Sequence, residues 1–134
     1  MTTFDDGPHG CTANAWAEEP DPPALLVTLR REGETLKRIS SSKRFAVNLL
    51  AAGQDEVARR FAARDTDRFA GVAHELGTLG QPVLSDALAC FECELEAVHP
   101  FGAYDIVVGT VAAVRAQEGG TPLLFVDGAF TLPR

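Results

Sequence analysis

The order of apolar and polar positions divides the chain into two halves with different periods. In the first half, Ala24-Leu25-Leu26-Val27-Thr28-Leu29 is an apolar run of strand length. Gly33-Glu34-Thr35 then opens a helical stretch, with Thr35 as its expected N-cap and Leu36 and Ile39 on one face. Phe45-Ala46-Val47-Asn48-Leu49-Leu50 predicts the next strand, and Gln54 to Ala63 a second helix with an apolar stripe of Val57, Ala58, Phe61 and Ala62. In the second half the period drops to two. Phe91, Cys93, Leu95 and Ala97 alternate with Glu92, Glu94 and Glu96, which predicts a strand with one wet face. Ile106 to Val114 follows as a long strand beyond the Gly102 loop. After the Gly119-Gly120 turn, Pro122 to Val126 and Ala129 to Leu132 flank Asp127-Gly128, a tight-turn signal. Many strands and two early helices predict an antiparallel barrel, closed or partly closed, with helices at its ends.

Composition narrows the function classes. A chain of 134 residues fits one domain. Nineteen acidic residues against twelve basic ones give a formal charge of −7, which argues against a nucleic-acid binder and against docking on anionic membranes. No apolar run approaches the ~20 residues of a membrane span, and Met1-Thr2-Thr3-Phe4-Asp5-Asp6 lacks the pattern of a signal peptide. A cytoplasmic location is expected.

Most familiar chemistry is missing. There is no G-x-G-x-x-G, no Walker loop and no G-x-S-x-G elbow, and His9, His74 and His99 have no metal-ligand spacing, so no metal site is expected. Cys90-Phe91-Glu92-Cys93 spells C-x-x-C, but residues three apart on a strand point to opposite faces. The pair is read as packing rather than as a redox couple. Ser40-Ser41-Ser42 is read as the polar end of a helix. Glu18 to Pro23 is a stiff Pro-rich connector.

Two stretches offer more. Gly10-Cys11-Thr12-Ala13-Asn14-Ala15 combines small residues, which let backbone approach a flat ligand, with a hydroxyl and an amide that can meet a ring edge. Arg30-Arg31-Glu32-Gly33-Glu34-Thr35 places arginines at a helix start, where free N–H groups favour phosphate. The same residues also fit a tight turn followed by a solvated helix cap.

In their order and spacing, these stretches resemble the flavin reductase domain of the FMN-binding split-barrel superfamily. The landmarks are His9 to Ala15, Asp21-Pro22-Pro23, Phe45 to Leu50, Gln54 with Phe61-Ala62, and Asp67-Arg68-Phe69-Ala70-Gly71-Val72. Further along come Pro82-Val83-Leu84, Asp86-Ala87-Leu88-Ala89, Glu92-Cys93, His99, Gly109, and Gly120 to Phe125. The resemblance implies a mainly β, antiparallel, Greek-key split β-barrel with two short flanking helices, filling residues 1–134 as a single domain. It implies a homodimer with flavin, FMN or FAD, at the interface, and NADH or NADPH as co-substrate. It also implies hydride transfer to that flavin and a partner monooxygenase that receives it. By the same resemblance Thr12, Ala13, Asn14 and Ala15 lie near the isoalloxazine, and Arg30, Gly33 and Thr35 form the phosphate loop. Phe45, Ala46 and Asn48 line the site, and His99 and Tyr104 stand beside the nicotinamide.

The chain departs from the family pattern in three places. Met1-Thr2-Thr3 aligns with the end of the usual first strand, so the domain is expected to be N-terminally short, with either a misassigned start or an open barrel edge. Gly102-Ala103-Tyr104 stands where Gly-Asp-His is common, and Gly33 stands where the phosphate loop often has serine. Two other functions compete with the reductase: a flavin-binding barrel with little or no turnover, and a structural domain that has lost the flavin. The Thr12-Ala13-Asn14 stretch argues against the last.

Overall fold

The computed structural model describes residues 1–18, 21–64 and 66–133. The strands are β1 (Thr2–Phe4), β2 (Pro8–Gly10), β3 (Ala15–Glu18), β4 (Ala24–Arg30), β5 (Arg44–Leu49), β6 (His74–Leu76), β7 (Pro82–Leu84), β8 (Ala89–Phe101), β9 (Tyr104–Ala116), β10 (Leu124–Val126) and β11 (Ala129–Thr131). The helices are α1 (Glu34–Ser42) and α2 (Asp55–Ala62). Seven strands form one sheet in the order β2-β1-β5-β8-β9-β4-β3, and every pairing within it is antiparallel. Part of the Pro-rich connector, Glu19-Pro20, lies outside the described residues.

Connectivity forces this sheet to curl. Its edge strands are β2 and β3, yet only Cys11 to Asn14 separate them in sequence. That link spans at most roughly 18 Å. A flat sheet of this width would hold its edges about 29 Å apart at ordinary strand spacing. The sheet therefore wraps towards a barrel whose two edges approach without pairing, and the Cys11–Asn14 link crosses the split.

The core sits inside this curl. Leu25, Val27 and Leu29 of β4, Val107 of β9, Cys93 of β8 and Phe45 of β5 bury against Leu36 and Ile39 of α1. Phe45 reaches the centre only because Gly109 has no side chain: a Cβ there would lie 2.3 Å from the ring and 2.8 Å from Cys93 Cβ. A second cluster joins Phe61 of α2 to Phe69, Leu84 and Ala87. A third, Ala46, Val83 and Cys90, lies on the opposite side of β5–β8 under β7.

Several expectations need correction. Thr35 does not cap α1: Gly33 occupies the N-cap, no side chain bonds there, and Thr35 is a buried residue of the first turn. Glu92 is not on a wet face. It is 2 % exposed because the loop before β7 covers it, and its carboxylate accepts the N–H groups of Thr78 and Leu79, both at 2.9 Å. The β8 register also shifts at Glu92/Cys93 and Leu95/Ala97, so strict alternation ends there. Ala62 is exposed at the end of its helix. The β10–β11 hairpin turns at Asp127-Gly128 as expected, with φ of 51° and 79°. No helix among the described residues is long and apolar enough to cross a membrane.

Candidate functional site

An open cleft of about 1110 Å³ lies beside the split. One wall is the β2 end and its link, Pro8 to Thr12. Opposite it, the end of β4 runs into the first turn of α1, Thr28 to Leu36. The C-terminal end of α2 with Arg64 and Thr66 to Phe69 closes one side, and Ala103-Tyr104 of the β8–β9 turn closes the other.

Backbone bonds hold the loop wall still. Cys11 N–H donates to Met1 C=O, Thr12 N–H to Phe61 C=O, and the Arg68 guanidinium to Gly10 C=O at 2.7 Å. Gly10 must be glycine because a Cβ would stand 2.9 Å from both Met1 O and the Phe61 ring. Phe61 and Phe69 meet edge to face at 4.9 Å behind it. The Thr12 hydroxyl is already committed, donating to Ala58 C=O in α2. Its part is therefore to fasten the loop, and its oxygen retains only acceptor capacity towards a ligand.

The cleft inverts the charge of the chain. Of the twelve Lys and Arg of the chain, Arg30, Arg31, Arg64 and Arg68 are described in its lining, with Arg31 engaged by Asp105, whereas of the nineteen Asp and Glu only Glu32, Glu34 and Asp67 are described there. Glu34 is occupied by Arg38, whose Nε lies 2.7 Å from Oε1, and this bond holds the Glu34 carboxyl below its ordinary value. The Arg30 guanidinium makes no hydrogen bond or ion pair with any described residue, while its backbone carbonyl accepts from Gly33 N–H. Among the described residues, the Arg68 guanidinium donates only to the carbonyls of Gly10 and Ala63. Gly33 to Leu36, the start of α1, line the same space, and a helix start with nearby arginines favours an anion.

The expected site residues divide into groups. Thr12, Arg30, Gly33, Thr35 and Tyr104 line the cleft. Ala13, Asn14 and Ala15 continue from Thr12 along the split, with Asn14 and Ala15 exposed. Phe45 and Ala46 are wholly buried in the sheet, away from the cleft. Asn48 is a fastener: its amide donates to Thr2 Oγ1 at 3.2 Å and accepts from Leu84 N–H at 3.0 Å. His99 and Tyr104 share the outer face of the β8–β9 hairpin, because His99 pairs with Ile106 and Tyr104 with Phe101 and Arg30. Tyr104 reaches the rim of the cleft, and His99 stands one row beyond it. Sequence reasoning missed Arg64 and Arg68 as cleft residues. Arg68 lies in the Asp67–Val72 landmark of the resemblance, which gave it no role, and Arg64 follows Arg59 and Arg60 in a basic stretch.

Of the three thiols, Cys11 lies in the cleft wall and the other two are buried away from it. Cys93 lies in the central cluster and Cys90 in the cluster under β7, on opposite faces of β8. Burial pushes both thiols up to about 12, so neither is a thiolate near neutrality. No group of His, Cys, Asp or Glu among the described residues is arranged to hold a metal.

Comparison with known proteins agrees with this architecture. Residues 1–132 match the family described as flavin reductase like domain. The chain is 35% identical over 133 residues to the reductase subunit HsaB of a flavin-dependent monooxygenase from Rhodococcus jostii (strain RHA1), covering 98% of this chain and 68% of that protein. It is 37% identical to a probable flavin reductase from Rhizobium meliloti (strain 1021), of which it spans 41%. The NADH:FAD oxidoreductase SgcE6 of Streptomyces globisporus C-1027, solved with NAD and FAD fragments, superposes with a TM-score of 0.92 at 30% identity. That match covers 97% of this chain and 80% of the other.

Proposed function

The chain belongs to the flavin reductase like domain family, and from that membership we propose that it binds FMN or FAD in the cleft beside the split and reduces it with NADH or NADPH. The observation that carries this assignment is the guanidinium-lined cleft at the start of α1, in a chain that is otherwise strongly acidic. The bound flavin supplies the hydride-accepting ring, and the nicotinamide supplies the hydride. The residues of the chain bind, orient and exclude water. Arg30, Gly33 and Thr35 hold the phosphate end, while the loop from Thr12 to Ala15, clamped to α2, presents rigid backbone to the ring. Tyr104, at the rim, covers the nicotinamide face, and His99 in the next row serves its carboxamide. Phe45, Ala46 and Asn48 support the site from within the sheet.

Reduced flavin then passes to a partner monooxygenase in the cytoplasm, as the relatives named reductase subunits suggest. A homodimer is part of the same proposal. Trp16, Leu26 and Val108 form an apolar row on the outer face, and Trp16 is 69 % exposed. A second copy covering that row would bury it. The test is steady-state oxidation of NADH and of NADPH with FMN, FAD and riboflavin in turn. Flavin-dependent oxidation supports the reductase. Tyr104, in place of the common histidine, favours a second reading, a flavin binder without turnover, which predicts tight flavin binding and no oxidation of either nucleotide.

A further inference from the structure

Arg31 stands outside the roles assigned so far, and its bonds have an unusual distribution. Its backbone N–H donates to Ala103 C=O at 3.1 Å, its Nη2 donates to Tyr104 C=O at 3.1 Å, and its Nε donates to Asp105 Oδ1 at 3.0 Å. One residue thus grips three consecutive residues at the tip of the β8–β9 hairpin. Asp105 is 9 % exposed, opposite Leu29 in the β4–β9 register. An unpaired carboxylate there would be costly, and Arg31, whose own side chain is 45 % exposed, supplies its partner from the surface. Arg31 also follows Arg30 and precedes the Gly33 cap of α1, where Gly33 N–H closes a turn on Arg30 C=O at 3.0 Å. The arginine therefore ties the anion-binding start of α1 to the turn that carries Tyr104.

We propose that the Arg31–Asp105 ion pair is a clasp that holds the β8–β9 turn, and with it the Tyr104 ring, against the cleft, making Arg31 a positioning residue for the nucleotide side of the reaction. The kinetic half of this inference rests on the reductase function proposed above; the structural half does not. The long hairpin beyond β4 has exposed residues from Val98 to Tyr104. Release of the clasp frees the tip to twist, and a misplacement of about 1 Å is enough to cost large factors in rate.

Tyr104 is the only tyrosine of the chain, so fluorotyrosine labelling gives one fluorine resonance that reports this ring alone. Arg31→Gln and Asp105→Asn keep hydrogen-bonding groups and remove the ion pair, and circular dichroism verifies that each variant is folded. The clasp predicts that the resonance shifts or broadens in each variant, and that the double variant looks like either single one. With NADH as probe, Arg31→Gln raises KM roughly tenfold while flavin Kd stays within about twofold. In a Tyr104→Ala background the same substitution adds nothing. An unmoved resonance in both single variants overturns the clasp. So does a tenfold KM effect that persists without Tyr104, because Arg31 would then touch the nucleotide itself. If the parent protein oxidises neither NADH nor NADPH with any flavin, the reductase assignment fails and the resonance alone decides the clasp.

Discussion

The inner face of the curled sheet and the cleft beside it share Leu29 and Leu36, yet different forces hold them. The inner face is dry and tightly fitted, with Phe45, Ile39, Cys93 and Val107 all at 0 % exposure and Phe45 set into the space that Gly109 leaves. The cleft is wet, and its walls are fixed by side chains that bond to backbone far away in sequence, such as Thr12 on Ala58 and Arg68 on Gly10. The comparison teaches that shape complementarity sets stability here, while a few long-range polar bonds set the binding surface. The two should therefore respond to different substitutions.

The sharpest way to break the comparison is Gly109→Val. The added side chain meets the Phe45 ring, and we expect a loss of more than about 3 kcal/mol in urea unfolding, or no soluble protein. Glu92→Ala comes next. It strips the acceptor from two N–H groups and should cost about 2 to 3 kcal/mol in the same assay, with flavin affinity of the folded fraction unchanged. Arg30→Ala does the reverse. Its guanidinium makes no bond to any described residue, so stability should hold, while titration shows FMN and FAD binding weakened by about 2 kcal/mol, roughly thirtyfold. Riboflavin, without a phosphate, should change little, and equal loss for all three flavins would remove Arg30 from the phosphate site.

The smallest effect is alkaline. Both buried thiols are raised from 9 to about 12 by burial, so above pH 9 the unfolded chain loses their protons while the folded one keeps them. Stability falls as pH rises between those values, by about 1.4 kcal/mol per thiol at one unit past 9. Cys93→Ala should flatten the pH dependence of urea midpoints by that amount. An unchanged slope would mean that the Cys93 thiol titrates normally.

The dry side of this comparison was largely legible from residue order. Leu36 and Ile39 repeat at helical spacing, β4, β5 and β9 stand out as apolar runs of strand length, and both patterns mark burial. β1, β2, β3, β6 and β7 are three or four residues long, too short to show a period. Glu92 misled because a carboxylate in an alternating strand reads as solvent-facing, and only the covering loop supplies its donors. In the cleft, small residues at Gly10 and charge at Arg30 signalled a ligand. The Arg31–Asp105 pair spans 74 positions, and no local pattern announces a bond of that reach. Phe45 and Ala46 illustrate the opposite difficulty: a resemblance placed them beside a ligand, while their apolar surroundings place them in the sheet.

Binding alone does not separate a reductase from a flavin carrier, so the most direct test of the central claim follows reduction in a single turnover. Protein saturated with FMN or FAD is mixed anaerobically with NADH or NADPH, and the visible flavin absorbance is recorded in stopped flow. The account predicts that the absorbance bleaches with at least one nucleotide, at a rate that saturates with its concentration, and that Tyr104→Ala slows the bleach while leaving flavin affinity nearly intact. Flavin that binds in the cleft and stays oxidised with both nucleotides would contradict it.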